Sequence, residues 1–245
     1  MNRLRNRLAP VLKPIIYRHS AFVGSIVRVE TEKPVVVMTY DDGPEPGGTD
    51  RVLAALAEHH ASATFFMLLS RVRTHRNLLA DVLNDGHEIA LHGIDHKKLT
   101  DLSMPQIRQK TLDGKHELED ATGREISWMR PPYGYQTLSS RRAVLSTGLE
   151  PVMWSSTTWD SLDISQNERV LKAVTGLSVG SILLAHDGRA GQSDGANDGP
   201  APDIDRGDLS RRVLDELSKV GIVGRSLGQA LEHGAPFRAA WFQKG

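Results

Sequence analysis

The 245-residue sequence contains no cysteine, which excludes disulfides and thiolate metal sites and fits a reducing compartment. It also lacks net charge. Thirty Lys and Arg balance thirty Asp and Glu, so no global field draws the chain to nucleic acid. No apolar run approaches the ~18 residues needed to cross a bilayer. No signal peptide is expected from these residues either: Met1 to Arg7 is basic, but Pro10, Lys13 and Pro14 break the apolar stretch Leu8 to Ile16, and no small-residue cleavage site follows. Residues 1–33 therefore read as a basic N-terminal extension packed on the domain. The alternative is weak membrane association through residues 1–20, suited to a lipid-linked substrate. The expected location is cytoplasmic, peripheral at the membrane in that alternative. No internal repeat is present, and the length fits one domain, 34–245, with a full core.

What the sequence does contain is alternation. Short apolar runs at Val35–Tyr40, Ala63–Leu68, Glu88–His92, Ser127–Arg130, Pro151–Ser155, Ser181–His186 and Gly221–Arg225 have the character of strands covered on both faces. Amphipathic segments lie between them, at Arg51–His60, His75–Asp85, Ser103–Thr122 and Asp208–Val220. The third opens with Ser103 and Gln106 at capping-box spacing and closes at Gly123. The pattern predicts an α/β fold, a deformed parallel (β/α) barrel of about seven strand–helix units. One stretch, 187–207, is rich in Gly, Asp and Pro without periodicity. A loop that long inside a compact domain is usually functional or disordered, and its place directly after His186 favours a substrate-facing lid, with a solvated insertion as the alternative.

The chemistry sits where the strands end. Val35–Tyr40 runs into Asp41 and Asp42, Ile89–Leu91 into His92 with His96 four residues on, Trp128–Met129 into Arg130, and Ile182–Ala185 into His186. The C-terminal strand ends of a parallel barrel share one face, and that face carries the active site. Two adjacent carboxylates in one small site repel each other unless a cation is near. Histidines four apart on one helical turn face the same way and can share a metal. One carboxylate with two imidazoles leaves coordination positions open, as a catalytic ion requires.

Together these residues resemble the polysaccharide deacetylases with the NodB homology domain, carbohydrate esterase family 4. The resemblance spans about Pro34 to His233. It rests on Thr39-Tyr40-Asp41-Asp42-Gly43-Pro44, His92 with His96, Arg130-Pro131-Pro132-Tyr133-Gly134, Asp160 six residues after Trp154, and Leu184-Ala185-His186. It implies a divalent metal on Asp42, His92 and His96, zinc first, with cobalt, nickel or manganese accepted by the same ligands. It implies Asp41 as general base acting on metal-activated water and His186 as general acid. Arg130 would pair with Asp41, Asp160 would orient His186, and the Tyr133 backbone N–H would help hold the oxyanion. The implied reaction is removal of an N-acetyl group from an amino sugar in a glycan, a lipid-linked sugar or a glycoconjugate. A deformylase on a lipid-linked amino sugar, a cyclic amide hydrolase and a catalytically silent carbohydrate-binding module are the alternatives. Three positions depart from the family pattern: Gly93 replaces Ser or Thr, Ser161 replaces Trp, and Tyr40 replaces Phe.

Overall fold

The computed structural model describes residues 24–243. The proposed anchor at 1–20 lies outside them. Among the described residues no helix is long and apolar enough to cross a membrane. In chain order the strands are β1 (Gly24–Glu30), β2 (Val35–Asp41), β3 (Thr64–Leu68), β4 (Glu88–Gly93), β5 (Trp128–Met129), β6 (Glu150–Pro151), β7 (Ser156–Thr157), β8 (Ile182–His186), β9 (Val223–Arg225) and β10 (Ala235–Ala240). The helices are α1 (Thr49–Glu58), α2 (Leu69–Val72), α3 (Arg76–Asn84), α4 (Met104–Thr122), α5 (Leu138–Leu145), α6 (Gln166–Thr175), α7 (Arg206–Lys219) and α8 (Leu227–Leu231). Helix α4 starts where the capping box places it, with the Gln106 side chain accepting the Ser103 N–H at 3.0 Å, and ends on Gly123 at φ 63°.

Seven strands form one curled parallel sheet in the order β6-β5-β4-β3-β2-β8-β7, and β9 pairs with the start of β2. This is the deformed parallel barrel that the alternation predicts. The run Pro151–Ser155 is not one strand. Its flanks become β6, paired with β5 at one edge of the sheet, and β7, paired with β8 at the other. The residues between them cross the opening of the barrel, and a chain crossing a gap cannot ladder to one neighbour throughout.

β1 fills the remaining seam. Ile26 bridges to Val152 and Arg28 to Ser181, and the Val29 N–H donates to the Gly180 carbonyl at 2.8 Å. β1 lies within the 1–33 stretch that composition sets apart, yet Ile26 and Val29 are fully buried. Its outer partner is β10, antiparallel to it.

Strand parity decides which side chains enter the barrel, because successive residues point to opposite faces. Val36, Met38, Tyr40, Phe65, Met67, Ile89, Leu91, Leu183 and Ala185 face outward and join the large core under the helices. Val37, Phe66, Ala90, Val152 and Ile182 face inward, and α8 plugs the lower end with Leu227 and Ala230. The same inward parity carries on to Thr39 and Asp41, to His92 and to His186. The apolar alternation that folds the sheet thus delivers the polar strand ends to one enclosed rim.

Candidate active site

At that rim Asp42, His92 and His96 converge. The Asp42 Oδ1 atom lies 3.4 Å from Nε2 of each histidine, and all three side chains are buried. The His92 Nδ1–H donates to the Arg130 carbonyl at 2.8 Å, which leaves Nε2 as a lone pair aimed at the carboxylate. Burial pushes the His96 imidazole down to about 4, so it too presents a neutral nitrogen. Asp42 Oδ1 has no hydrogen-bond donor, although it is buried. Lone pairs facing one another with no proton between them are what a bound cation resolves, so these residues fit a divalent metal. They are the one such group among the described residues.

The two histidines do not share a helical turn. His92 is the penultimate residue of β4, and His96 sits in a bend beyond it. Gly93 makes the bend, at φ 153°, where a Cβ would stand 2.7 Å from the Asp95 carbonyl oxygen.

Two ion pairs flank the metal group. Arg130 is fully buried in the barrel axis. Its Nη1 donates to Asp41 Oδ1 at 2.7 Å and to Thr39 Oγ1 at 2.9 Å, while Nε and Nη2 donate to the Val152 and Met153 carbonyls at 3.1 Å. Its guanidinium also lies 4.1 Å from the Phe66 ring centroid. The second pair joins Asp160 and His186. The His186 Nδ1–H donates to Asp160 Oδ1 and its backbone N–H to Oδ2, both at 2.8 Å. Burial would lower the His186 pKa, but the charge and hydrogen bond of Asp160, with Asp42 and Asp41 further off, outweigh it and raise the imidazole to about 9.

Tyr133 turns its backbone at φ 61° and packs its ring edge-on against His96 at 4.3 Å. Its hydroxyl donates to Asp198 at 3.1 Å, and burial first, then the Asp198 charge, raises that hydroxyl to about 12. All eight residues singled out from the sequence thus surround one small region, and most line a cavity of about 360 Å³.

The loop 187–207 is fastened to this region. The Ala190 N–H donates to Asp42 Oδ2 at 3.1 Å, the His96 N–H donates to the Asp194 carbonyl at 2.7 Å, and Arg71 holds the Asp194 carboxylate. Gly188, Arg189, Ala190 and Asp198 line the cavity, so this part of the expected lid forms a wall.

Sequence reasoning missed two supports. Arg206 donates to the His186 carbonyl at 2.9 Å and lies 3.5 Å from Asp160. Asp187 is fully buried, accepts the Thr49 hydroxyl at 2.6 Å and the Gly43 N–H at 3.2 Å, and so ties β8 to the Asp41-Asp42-Gly43 turn. A Cβ on Gly43 would run into the Asp187 carboxylate. Gly43→Ala is therefore expected to cost about 1–3 kcal/mol of stability. Thermal melting measures this, and an unchanged midpoint would mean that Asp187 can move aside. His87, outside the site, is buried against Phe65. Tyr40, in place of the family's Phe, finds a partner for its hydroxyl in Ser210 at 3.0 Å.

Residues 28–152, about half of the chain, match the polysaccharide deacetylase family. The chain belongs to that family. Among its curated relatives, the peptidoglycan-N-acetylglucosamine deacetylase PgdA of Listeria monocytogenes is 30% identical over 76% of the chain. The chain spans only about 40% of that relative's length. The chitooligosaccharide deacetylase of Sinorhizobium fredii is 29% identical over 85% of the chain and 97% of its own length. A solved family 4 carbohydrate esterase from Streptomyces lividans, in complex with acetate, superposes with a TM-score of 0.69 at 23% identity. That match covers 87% of this chain and the whole of the other.

Proposed function

We propose that this deacetylase hydrolyses the N-acetyl group of an amino-sugar unit in a saccharide. The observation that carries the reading is the pair of opposed ion pairs: Asp41 with Arg130 and His186 with Asp160, facing one cavity beside Asp42, His92 and His96. The relatives named for peptidoglycan and chitooligosaccharides support the substrate class.

A divalent cation, zinc by preference, held by Asp42, His92 and His96 would supply Lewis-acid polarisation of the amide carbonyl and lower the pKa of a nearby water. Asp41 accepts the proton of the attacking water, fixed in place by the buried Arg130 guanidinium. The Tyr133 backbone N–H donates to the oxyanion as the carbonyl carbon becomes tetrahedral. The leaving nitrogen departs as an amine only when protonated, and His186 delivers that proton. Asp160 holds the imidazole by Nδ1, so that Nε2 carries the proton into the cavity.

The test is acetate release from purified N-acetylated oligosaccharides, with metal supplied and then chelated. Formylated amino sugars and cyclic amides run in the same panel. Release from the acetylated sugars, lost on chelation, is the expected result; hydrolysis confined to formyl or cyclic amides would overturn the substrate assignment.

Asp160→Asn gives a second expected result. The raised His186 pKa keeps the acid protonated up to roughly pH 9, so kcat/KM falls as pH rises past it. Removing the Asp160 charge destabilises the imidazolium and should move that alkaline limb down by about one to three pH units. A pH–rate profile with the limb unmoved would detach Asp160 from the acid.

A further inference from the structure

The catalytic cavity continues past Tyr133. A second cavity of about 380 Å³ adjoins it and shares His96, Tyr133 and Asp198 with it, so the two form one groove divided at the Tyr133 ring. A single sugar unit fills one side of such a divide, and an extended saccharide crosses it.

The charged groups of the second cavity are unevenly committed. Asp198 accepts the Tyr133 hydroxyl. Lys97 lies 3.9 Å from Asp95, which also holds Lys110. Asp101 is exposed. Lys98 differs from all of these. Lys98 is a half-buried residue whose ammonium stands 5.1 Å from the Tyr135 ring centroid and 5.8 Å from that of Tyr133. Among the described residues it has no carboxylate within ion-pair distance. The stacked rings, 5.5 Å apart, hold the cation in the groove without neutralising it. A cation in a cavity wall with no counter-ion beside it is stabilised by an anion arriving on a ligand.

We propose that the second cavity is a subsite for the neighbouring unit of an extended saccharide, and that Lys98 selects a unit bearing an anionic substituent, a carboxylate or a phosphate. This rests on the reading of the main cavity as a saccharide deacetylase site. The Tyr133 ring and Leu102 supply the apolar surface for the sugar, and the Lys98 ammonium supplies the charge.

Calorimetry with the metal-loaded, full-length Asp41→Asn protein tests this against three N-acetylated oligosaccharides of equal length. One is neutral, one bears a carboxylate ether and one a phosphate monoester. At least one anionic ligand should bind about tenfold more tightly than the neutral one, the scale of one charge-assisted hydrogen bond. Adding Lys98→Met, which keeps the apolar stem over the rings, should erase that advantage and leave neutral binding unchanged. Lys98→Arg should preserve it, and added salt should weaken it. The ligand that holds the advantage separates carboxylate from phosphate. Failure of both anionic ligands to outbind the neutral one, or an advantage that survives Lys98→Met, overturns the proposal. Acetate release by the wild-type protein is followed in parallel. Release with no anionic preference keeps the deacetylase and removes the role of Lys98, whereas anionic preference without release from any sugar does the opposite.

Discussion

Asp41→Asn is expected to lower kcat by about 100- to 10,000-fold, the usual worth of a general base, while the bound metal stays at its wild-type level. The substitution is isosteric, and the new amide oxygen can still accept from Arg130 Nη1, now 2.7 Å from the carboxylate. What disappears is the affinity for a proton. A competing effect has to be weighed, because deleting one charge of a buried pair typically costs about 3–5 kcal/mol. Here Arg130 keeps Thr39, two backbone carbonyls and the Phe66 ring as partners. The variant should therefore melt earlier yet remain folded at room temperature. Turnover, metal content and melting point measured on one preparation separate the two effects. Near-normal turnover would remove Asp41 from the reaction.

His92→Ala should lose the metal, and activity with it. Asp42 and His96 alone leave two ligands where three converged, and the Arg130 carbonyl loses its imidazole donor. At metal concentrations that saturate the wild-type protein, activity should fall below detection, with metal content falling in parallel. Chelation of the wild type should reproduce this loss, and restored zinc, cobalt, nickel or manganese should reverse it to different extents. Full metal occupancy in both His92→Ala and His96→Ala would refute the ligand set.

The candidate site residues are legible in the sequence because the strand parity of the core runs on into the strand ends. The strand alternation that buries Val37, Phe66, Ala90 and Ile182 points Asp41, His92 and His186 the same way a few positions later. A reader of the primary structure can follow that parity without coordinates. Arg206 and Asp187 escape it. Arg206 reaches His186 from the first turn of α7, across twenty residues of loop, and no local pattern encodes such a reach. Asp187 looks like a turn residue until Gly43 and Thr49 are seen against it. β1 and β10 were hidden for a related reason. One lies in a stretch noted for its basic character, and the other begins Ala-Pro and carries no β-branched residue. Their pairing joins residues some two hundred positions apart, which short-range preference cannot signal.

That pairing bears on how the molecule is made. β1 leaves the ribosome some two hundred residues before the strand that covers its outer edge. Trp241, just beyond β10, rests against Trp154, a residue of the catalytic cavity, at 4.8 Å between ring centroids. The nascent chain can thus stack most of its barrel while the outer edge of β1 waits for β10, whose arrival also brings Trp241 against the pocket. Stalled or prematurely released polypeptides would expose a bare strand edge, inviting association with other chains before any activity is acquired.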